Sequence, residues 1–162
     1  MTGSVISINI SEKKSERKKP VNEAVVKENH GIEGDAHASS EWRRQVSLLA
    51  LESIKKMQEK GLDVNPGDFA ENITTEGLDL PALPIGTRIL IGSGAGAVIG
   101  EVSQIGKECH NRCAIYEQAG DCVMPKEGIF LWILKGGKVK KGDAIQVRLR
   151  EELQEISKLM DE

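Results

Sequence analysis

The hydrophobic residues of this chain fall mostly in short runs that are typical of β-strands. The runs that predict strands span residues 5–10, 44–49, 87–91, 97–102, 129–134 and 144–149. A glycine-rich run at 92–96 leads from one strand into the next and not into a helix, which indicates a hairpin turn and argues against a phosphate-binding loop. Closely spaced strands with few helices predict a mainly β fold, a closed or partly closed β-barrel with a few short helices.

Two segments have the spacing of amphipathic helices instead. From about residue 50 to residue 60, Leu51, Ile54 and Met57 recur on one helical face, and Gly61 is expected to end that helix. Residues 150–161 predict a C-terminal amphipathic helix that packs on the body of the protein. The length of 162 residues predicts a single domain over 1–162, with its core at about 5–148.

Composition and charge narrow the classes of function. The formal net charge of −3 argues against a dedicated nucleic-acid-binding protein. The apolar runs are too short for a membrane span, and the first ten residues lack the pattern of a signal peptide. We therefore expect a cytoplasmic protein whose partners include neither nucleic acid nor membrane.

The cysteines carry the most specific chemical signal. All three lie between residues 109 and 122. In a reducing compartment, cysteines clustered in this way indicate chemistry or a metal site and not a disulfide framework. Cys109 lies just after a predicted strand, and Lys107 and Arg112 could stabilise its thiolate. The predicted chemistry is therefore that of a single reactive or metal-binding thiolate at Cys109, acting as nucleophile, sulfur carrier or ligand of a soft metal.

Two other interpretations of the cysteines stay open. Cys109, Cys113, Cys122 and His110 could form a structural zinc site, although the adjacent positions of Cys109 and His110 hinder joint chelation. Alternatively, Cys113 and Cys122 are ordinary small buried residues, which is the favoured interpretation for those two.

Several polar residues have both a structural and a functional interpretation. Asp35 and His37 follow paired glycines and are either turn-forming residues or an acid, a base or ligands. Asn72 is expected to be an amide that bonds to the backbone. The basic run at 11–19 predicts a solvated loop or hairpin tip, with an anion-attracting rim as the alternative.

Six short motifs, in this order and spacing, resemble those of the MOSC domain family, a domain found at the C-terminus of molybdenum cofactor sulfurases. The motifs are 31–37 (Gly-Ile-Glu-Gly-Asp-Ala-His), 44–49 (Arg-Gln-Val-Ser-Leu-Leu), 66–74 (Pro-Gly-Asp-Phe-Ala-Glu-Asn-Ile-Thr), 83–88 (Leu-Pro-Ile-Gly-Thr-Arg), 106–110 (Gly-Lys-Glu-Cys-His) and 128–130 (Gly-Ile-Phe). The resemblance covers roughly residues 5 to 148 and is closest to the small stand-alone bacterial members.

The resemblance implies a β-barrel that binds the molybdenum cofactor (molybdopterin). The family's single signature cysteine, proposed to carry sulfur as a persulfide or to ligate molybdenum, corresponds to Cys109, and His110 beside it would act with it in catalysis. The resemblance also implies contacts between the chain and the cofactor at Lys107, Asn72, Arg44, Asp35 and His37.

Three functions follow as hypotheses from this resemblance. The leading one is a cofactor-binding domain in sulfuration, biosynthesis or delivery of the cofactor, with sulfurtransferase-like activity. Because a pyridoxal-phosphate domain does not fit in 162 residues, sulfur would come in trans from a pyridoxal-phosphate cysteine desulfurase or from molybdopterin-synthesis proteins. The alternatives are a molybdenum-dependent reductase of N-hydroxylated compounds, fed by electron-transfer partners, and a non-enzymatic scaffold.

Overall fold

Strands dominate the computed structural model, which describes residues 1–14, 16–106 and 127–149. In chain order, the elements in these ranges are β1 (Thr2–Ile10), β2 (Lys19–Val21), β3 (Glu23–Lys27), β4 (Gly31–Ile32), β5 (Val46–Ala50), α1 (Leu51–Glu59), β6 (Ile73–Glu76), β7 (Arg88–Ile91), β8 (Val98–Ile105), β9 (Ile129–Lys135), β10 (Gly137–Lys140) and β11 (Ala144–Arg148). Two single 3₁₀ turns, Leu80–Ala82 and Gly94–Gly96, complete them.

Seven of the strands form a closed barrel. Their order around it is β11-β7-β8-β9-β5-β6-β1, and pairing of β1 with β11 closes the ring. Neighbouring strands are antiparallel except β5 and β6, which run parallel because α1 and the loop after it connect them. β2 pairs with the end of β1 as the return arm of a hairpin. The predicted mainly β, closed barrel is therefore confirmed.

A second, three-stranded sheet in the order β10-β3-β4 lies beside the barrel. The sequence analysis missed these three strands and β2. In β3 only Val26 is buried, while charged residues occupy both ends, so the alternation that marks a half-buried strand is almost absent. β4 has two residues, which is too short for any periodicity to show.

The core of the barrel is aliphatic, as the scarcity of aromatic residues requires. Alternate residues of β5, β6 and β9 point into it; Leu48, Ile73 and Leu131 are fully buried there. A smaller cluster lies outside the barrel, where Leu49 packs against Ile54 and Met57 of α1 and against Phe69. Every residue of β5 is buried because the two faces of the strand are both covered. Val46, Leu48 and Ala50 face the barrel core, and Leu49 packs against α1 on the outside.

The helix α1 matches its prediction closely. Ile54 and Met57 are buried as expected, whereas Leu51 is only half-buried and Ser53 joins the buried face. Gly61 follows the end of the helix with φ of 90°, a conformation that glycine adopts at little cost. No helix in the described ranges is long and apolar enough to cross a membrane. The predicted helix at 150–161 lies outside the described residues.

Candidate functional site

The outer face of the barrel is polar where β1, β5 and β6 meet. Ser47, Thr74 and Asn9 point away from the aliphatic core, yet each is at most 3% exposed. The loop at 66–72 bonds directly to these residues, and the loop at 11–18 bonds to it and to the loop at 33–45; we call the loops at 11–18 and 33–45 the covering loops. Buried polar groups need hydrogen-bond partners, and these groups find them in one another and in the loops.

Asn72 ties two barrel strands together in this region. Its side-chain oxygen accepts hydrogen bonds from the Ser47 backbone N–H at 3.0 Å and from the Ser47 hydroxyl at 3.3 Å. Its side-chain nitrogen donates to the Asn9 carbonyl at 3.3 Å. The Asn72 side chain is fully buried, and its oxygen and its nitrogen both have protein partners. Asn72 therefore supports the site by holding β1 and β5 in place.

Asp35 is the centre of a buried ion pair that joins the two covering loops. One oxygen accepts the Lys18 ammonium at 2.7 Å and the Ser11 backbone N–H at 3.0 Å; the other accepts the His37 backbone N–H at 3.0 Å. Burial pushes the pKa of Asp35 up, but the hydrogen bond from Lys18, the Ser11 N–H and the Lys18 charge outweigh it and lower the pKa below its ordinary value. Asp35 therefore stays ionised and holds the loops in place.

Lys18 corrects one sequence-based expectation. The basic run 11–19 was expected to be solvated, and the hairpin between β1 and β2 is indeed present. Lys18, however, is 6% exposed, and Ser11 is buried as well. The cause is Asp35, whose carboxylate supplies the counter-charge that a buried ammonium requires.

An aromatic row continues from the ion pair to the barrel wall. The His37 ring centre lies 4.8 Å from that of Trp42 and 5.9 Å from that of Phe130. The Trp42 indole N–H donates to the His37 carbonyl at 3.2 Å, which fixes the indole. Phe130 stands directly across from Ser47 in the β5–β9 ladder, so the row ends at the polar barrel face.

Three cations surround the tryptophans at the solvent side of this row. The Lys14 ammonium lies 4.7 Å and the Arg44 guanidinium 5.1 Å from the Trp42 ring centre. The Arg43 guanidinium lies 4.3 Å from the Trp132 ring centre. Within the described residues, none of the three cations forms an ion pair. We call Lys14, His37, Trp42, Arg43 and Arg44 the cation–aromatic surface; its uncompensated positive charge favours an anionic ligand.

Gln45 holds this surface on the barrel, a role that the sequence analysis missed. Its side-chain nitrogen donates to the Trp42 carbonyl at 3.1 Å, the Ser39 carbonyl at 3.0 Å and the Asn29 side-chain oxygen at 3.1 Å. Its side-chain oxygen accepts the Ile133 backbone N–H at 3.0 Å. The available signal was a glutamine directly before the mostly apolar strand β5.

Glu71 is a second residue that the sequence analysis missed. It is fully buried, and its two carboxylate oxygens accept the Gly67 backbone N–H at 3.0 Å and the Thr74 hydroxyl at 2.8 Å. Burial raises the pKa of Glu71 to about 7, although both hydrogen bonds oppose the shift. A glutamate within a polar loop carries no sequence signal of burial.

The cysteine motif cannot be placed in this geometry, because Lys107, Cys109 and His110 lie outside the described residues. Gly106, the last described residue before them, donates its N–H to Gly128 at 2.6 Å. Two residues earlier, Gln104 stands across from Phe130. The described chain before the motif thus ends close to Phe130 of the aromatic row. In the described ranges, no three His, Cys, Asp or Glu residues are grouped to hold a metal ion.

The structure therefore brings together Asp35, His37, Arg44 and Asn72 from three separate motifs. The MOSC domain family model matches residues 28–146. No curated protein matches the sequence significantly.

Three solved structures share the fold. The YUAD protein from Bacillus subtilis has 20% identity and a TM-score of 0.75, over 92% of this chain and 97% of that chain. YiiM from Geobacillus stearothermophilus has 21% identity and a TM-score of 0.67, over 91% of this chain and 76% of that one. YiiM from Escherichia coli has 20% identity and a TM-score of 0.64, over 93% and 71%. Because the family model spans most of the barrel and all six of the motifs above, the chain belongs to the MOSC domain family, which is associated with the molybdenum cofactor.

Proposed function

We propose that this chain binds the molybdenum cofactor or its precursor and acts in its sulfuration or delivery, with Cys109 as sulfur carrier or molybdenum ligand. One observation carries the proposal. Residues from three family motifs converge on the polar barrel face, next to three cations that lack acidic partners in the described part of the chain. Family membership indicates the class of ligand, the molybdenum cofactor. The cations of this surface complement the negative charge of its phosphate.

The residues of the surface fit the organic part of this cofactor. Molybdopterin carries a phosphate, and Arg44 and Lys14 are free to donate charge-assisted hydrogen bonds to it. The half-buried rings of His37 and Trp42 offer an aromatic wall for a planar pterin. Asp35 and Asn72 are saturated by protein partners, so we assign them to positioning the loops.

The thiol of Cys109 would provide the contact with sulfur or metal. When bound, the cofactor supplies a redox-active metal with sulfur ligands, for which a soft thiolate is the matching protein ligand. Cys109 follows Gly106 by three residues, and three residues of chain span at most about 11 Å. This reach is compatible with a site beside the aromatic row. Lys107 would add a further cation for the phosphate, and His110 would hold or release a proton next to the thiol.

The surface can be tested by the cofactor content of protein purified from a host that makes the cofactor. We expect Arg44→Gln to weaken pterin binding about tenfold, because about 1.4 kcal/mol, the worth of one hydrogen bond to a charged group, corresponds to that factor in Kd, and so to lower the pterin bound per chain when the cofactor is limiting. Arg88→Gln is the matched control, since Arg88 pairs with Glu101 elsewhere on the barrel. Equal pterin content in wild type and Arg44→Gln would contradict the assignment of this surface.

A further inference from the structure

Glu71 is a buried acid whose hydrogen-bond partners in the described ranges carry no positive charge. Among the ion pairs of the described residues, none includes Glu71, although it is 0% exposed. Its partners are instead a backbone N–H and a hydroxyl, from Gly67 and Thr74. A charge that is held in this way is costly, so its retention beside the candidate site requires an explanation.

A continuous chain of hydrogen bonds links Glu71 to the site. The Gly67 N–H donates to Glu71 at 3.0 Å, and the Gly67 carbonyl accepts the Lys18 backbone N–H at 2.8 Å. The Lys18 ammonium donates to Asp35 at 2.7 Å, and Asp35 accepts the His37 N–H at 3.0 Å. Two of these steps, from Gly67 to Lys18 and from Lys18 to Asp35, join different loops, so displacement at Gly67 is transmitted to His37.

The contact between Gly67 and Lys18 leaves no slack for this displacement. A Cβ atom at Gly67 would lie 2.3 Å from the Lys18 carbonyl oxygen, which shows how closely the two backbones approach. Ala70, between Gly67 and Glu71, has φ of 63°, a left-handed conformation that costs a non-glycine residue free energy. The segment from Gly67 to Ala70 is therefore strained and keeps its conformation only while other contacts hold it. The hydrogen bond from the Gly67 N–H to the buried Glu71 carboxylate is one of these contacts.

The charged groups on the elements around Glu71 are already paired. Lys18 bonds to Asp35, and Arg17 lies 3.6 Å from Asp68, which is on the same loop as Glu71. β1 and β6 present only neutral groups here, the Asn9 amide and the Thr74 hydroxyl. Titration of Glu71 therefore changes the charge of this network without another group to compensate for it.

We propose that Glu71 is a positioning residue that makes ligand binding at the cation–aromatic surface depend on pH, through Gly67, Lys18 and Asp35. The ligand part of this inference rests on the proposed function, whereas the coupling within the chain does not. Ionised Glu71 accepts two charge-assisted hydrogen bonds and holds Gly67 firmly. When it takes a proton from solvent, the carboxyl group becomes neutral, its hydrogen bonds from the Gly67 N–H and the Thr74 hydroxyl lose their charge assistance, and the anchor weakens. Burial places this titration near neutrality, since it raises the pKa of Glu71 to about 7.

The coupling can be measured without ligand, by following backbone amide resonances of the full chain in NMR spectra from pH 5 to pH 9. We expect the amides of Gly67, Lys18 and His37 to titrate with one shared midpoint, that of the Glu71 carboxyl group. In Glu71→Gln these shared transitions should vanish. Glu52→Gln is the matched control, because Glu52 also accepts a glycine N–H, from Gly77 at 3.0 Å, but on another side of the barrel. Titration of Gly67 alone, with His37 unaffected, would overturn the proposal.

The consequence for binding is tested with 6-carboxypterin, a planar anionic probe, by quenching of Trp42 fluorescence in a Trp132→Phe background. We expect binding to weaken about fivefold from pH 8 to pH 6 in the wild-type site, and to be equally weak at both pH values in Glu71→Gln. Equal pH dependence with and without Glu71 would refute its role. A probe that binds at no pH would contradict the proposed function instead, and the NMR titration of wild type would still decide on the coupling.

Discussion

The buried ion pair between Lys18 and Asp35 gives the sharpest prediction on stability. In Asp35→Asn the shape of the side chain is kept, but the Lys18 ammonium, with its side chain 5% exposed, loses its counter-charge. Removing one partner of a buried pair costs about 3–5 kcal/mol, because the remaining charge is buried without compensation. Asp35 is itself only 1% exposed at its side chain, so solvent does not screen the interaction.

This cost should appear as a fall in the melting temperature of roughly 10 °C, since 1 kcal/mol shifts a domain of this size by about 2–4 °C. The loss should depend on pH in a defined direction. The pKa of Asp35 is lowered in the folded protein, so its stabilising effect is present above the ordinary pKa of aspartate and is lost as the pH falls through the folded value. Asp35→Asn should therefore be least stable relative to wild type near neutral pH, and the difference should shrink in acid.

The assay is urea denaturation at several pH values, with the double variant Lys18→Met/Asp35→Asn included. Because the double variant leaves no buried charge, we expect it to be more stable than Asp35→Asn alone. Lys27→Met is the matched control, since the Lys27–Glu33 pair is more than half exposed on both sides and should contribute less than about 1 kcal/mol. A loss below about 1 kcal/mol in Asp35→Asn would refute the assignment of this pair as the anchor of both loops.

Three further predictions follow from the same contacts. The cost of burying the ionised Glu71 carboxylate exceeds what its hydrogen bonds return, so the fold is most stable below the ordinary pKa of glutamate and loses about 3 kcal/mol as the pH rises through the raised pKa of about 7; Glu71→Gln should remove this decline from pH-dependent denaturation curves. Gly67→Ala should cost at least about 2 kcal/mol in the same assay, because φ is 93° and the new Cβ would meet the Lys18 carbonyl; an unchanged midpoint would contradict the close approach. Gln45→Leu should leave the Ile133 N–H without its acceptor and cost about 1–3 kcal/mol, with a red shift of tryptophan emission that a purely local loss would not produce.

The barrel could be predicted because its strands carry their own signal. β5 and β9 are visible in the sequence as apolar runs, and β8 as an alternation of buried and less buried residues. The hairpin at 92–96 has the glycines that its turn requires. Two of the strands that were missed, β3 and β10, bury one residue each and pair with each other through their backbones. Backbone pairing leaves little trace in side-chain pattern, so no periodicity could reveal them.

The candidate site could be predicted only in part, for a related reason. Motif positions identified Asp35, His37, Arg44 and Asn72, but not that Asp35 and Asn72 are saturated by protein partners. Lys18 could not be recognised as buried, because its counter-ion lies 17 residues away on another loop. Long-range contacts decide which polar residues are buried, and a single sequence does not contain them.

Native mass spectrometry with metal analysis tests the central claim most directly, on wild type and Cys109→Ser purified from a host that makes the cofactor. The account predicts a pterin cofactor on wild type and its loss from the variant, or an adduct of about 32 Da, one sulfur atom, on Cys109. Molybdenum lost together with the pterin would identify Cys109 as its ligand and favour the reductase hypothesis over sulfur transfer. A wild-type protein that carries neither cofactor nor sulfur, or a variant that retains in full whatever cofactor and sulfur the wild type carries, would contradict the account.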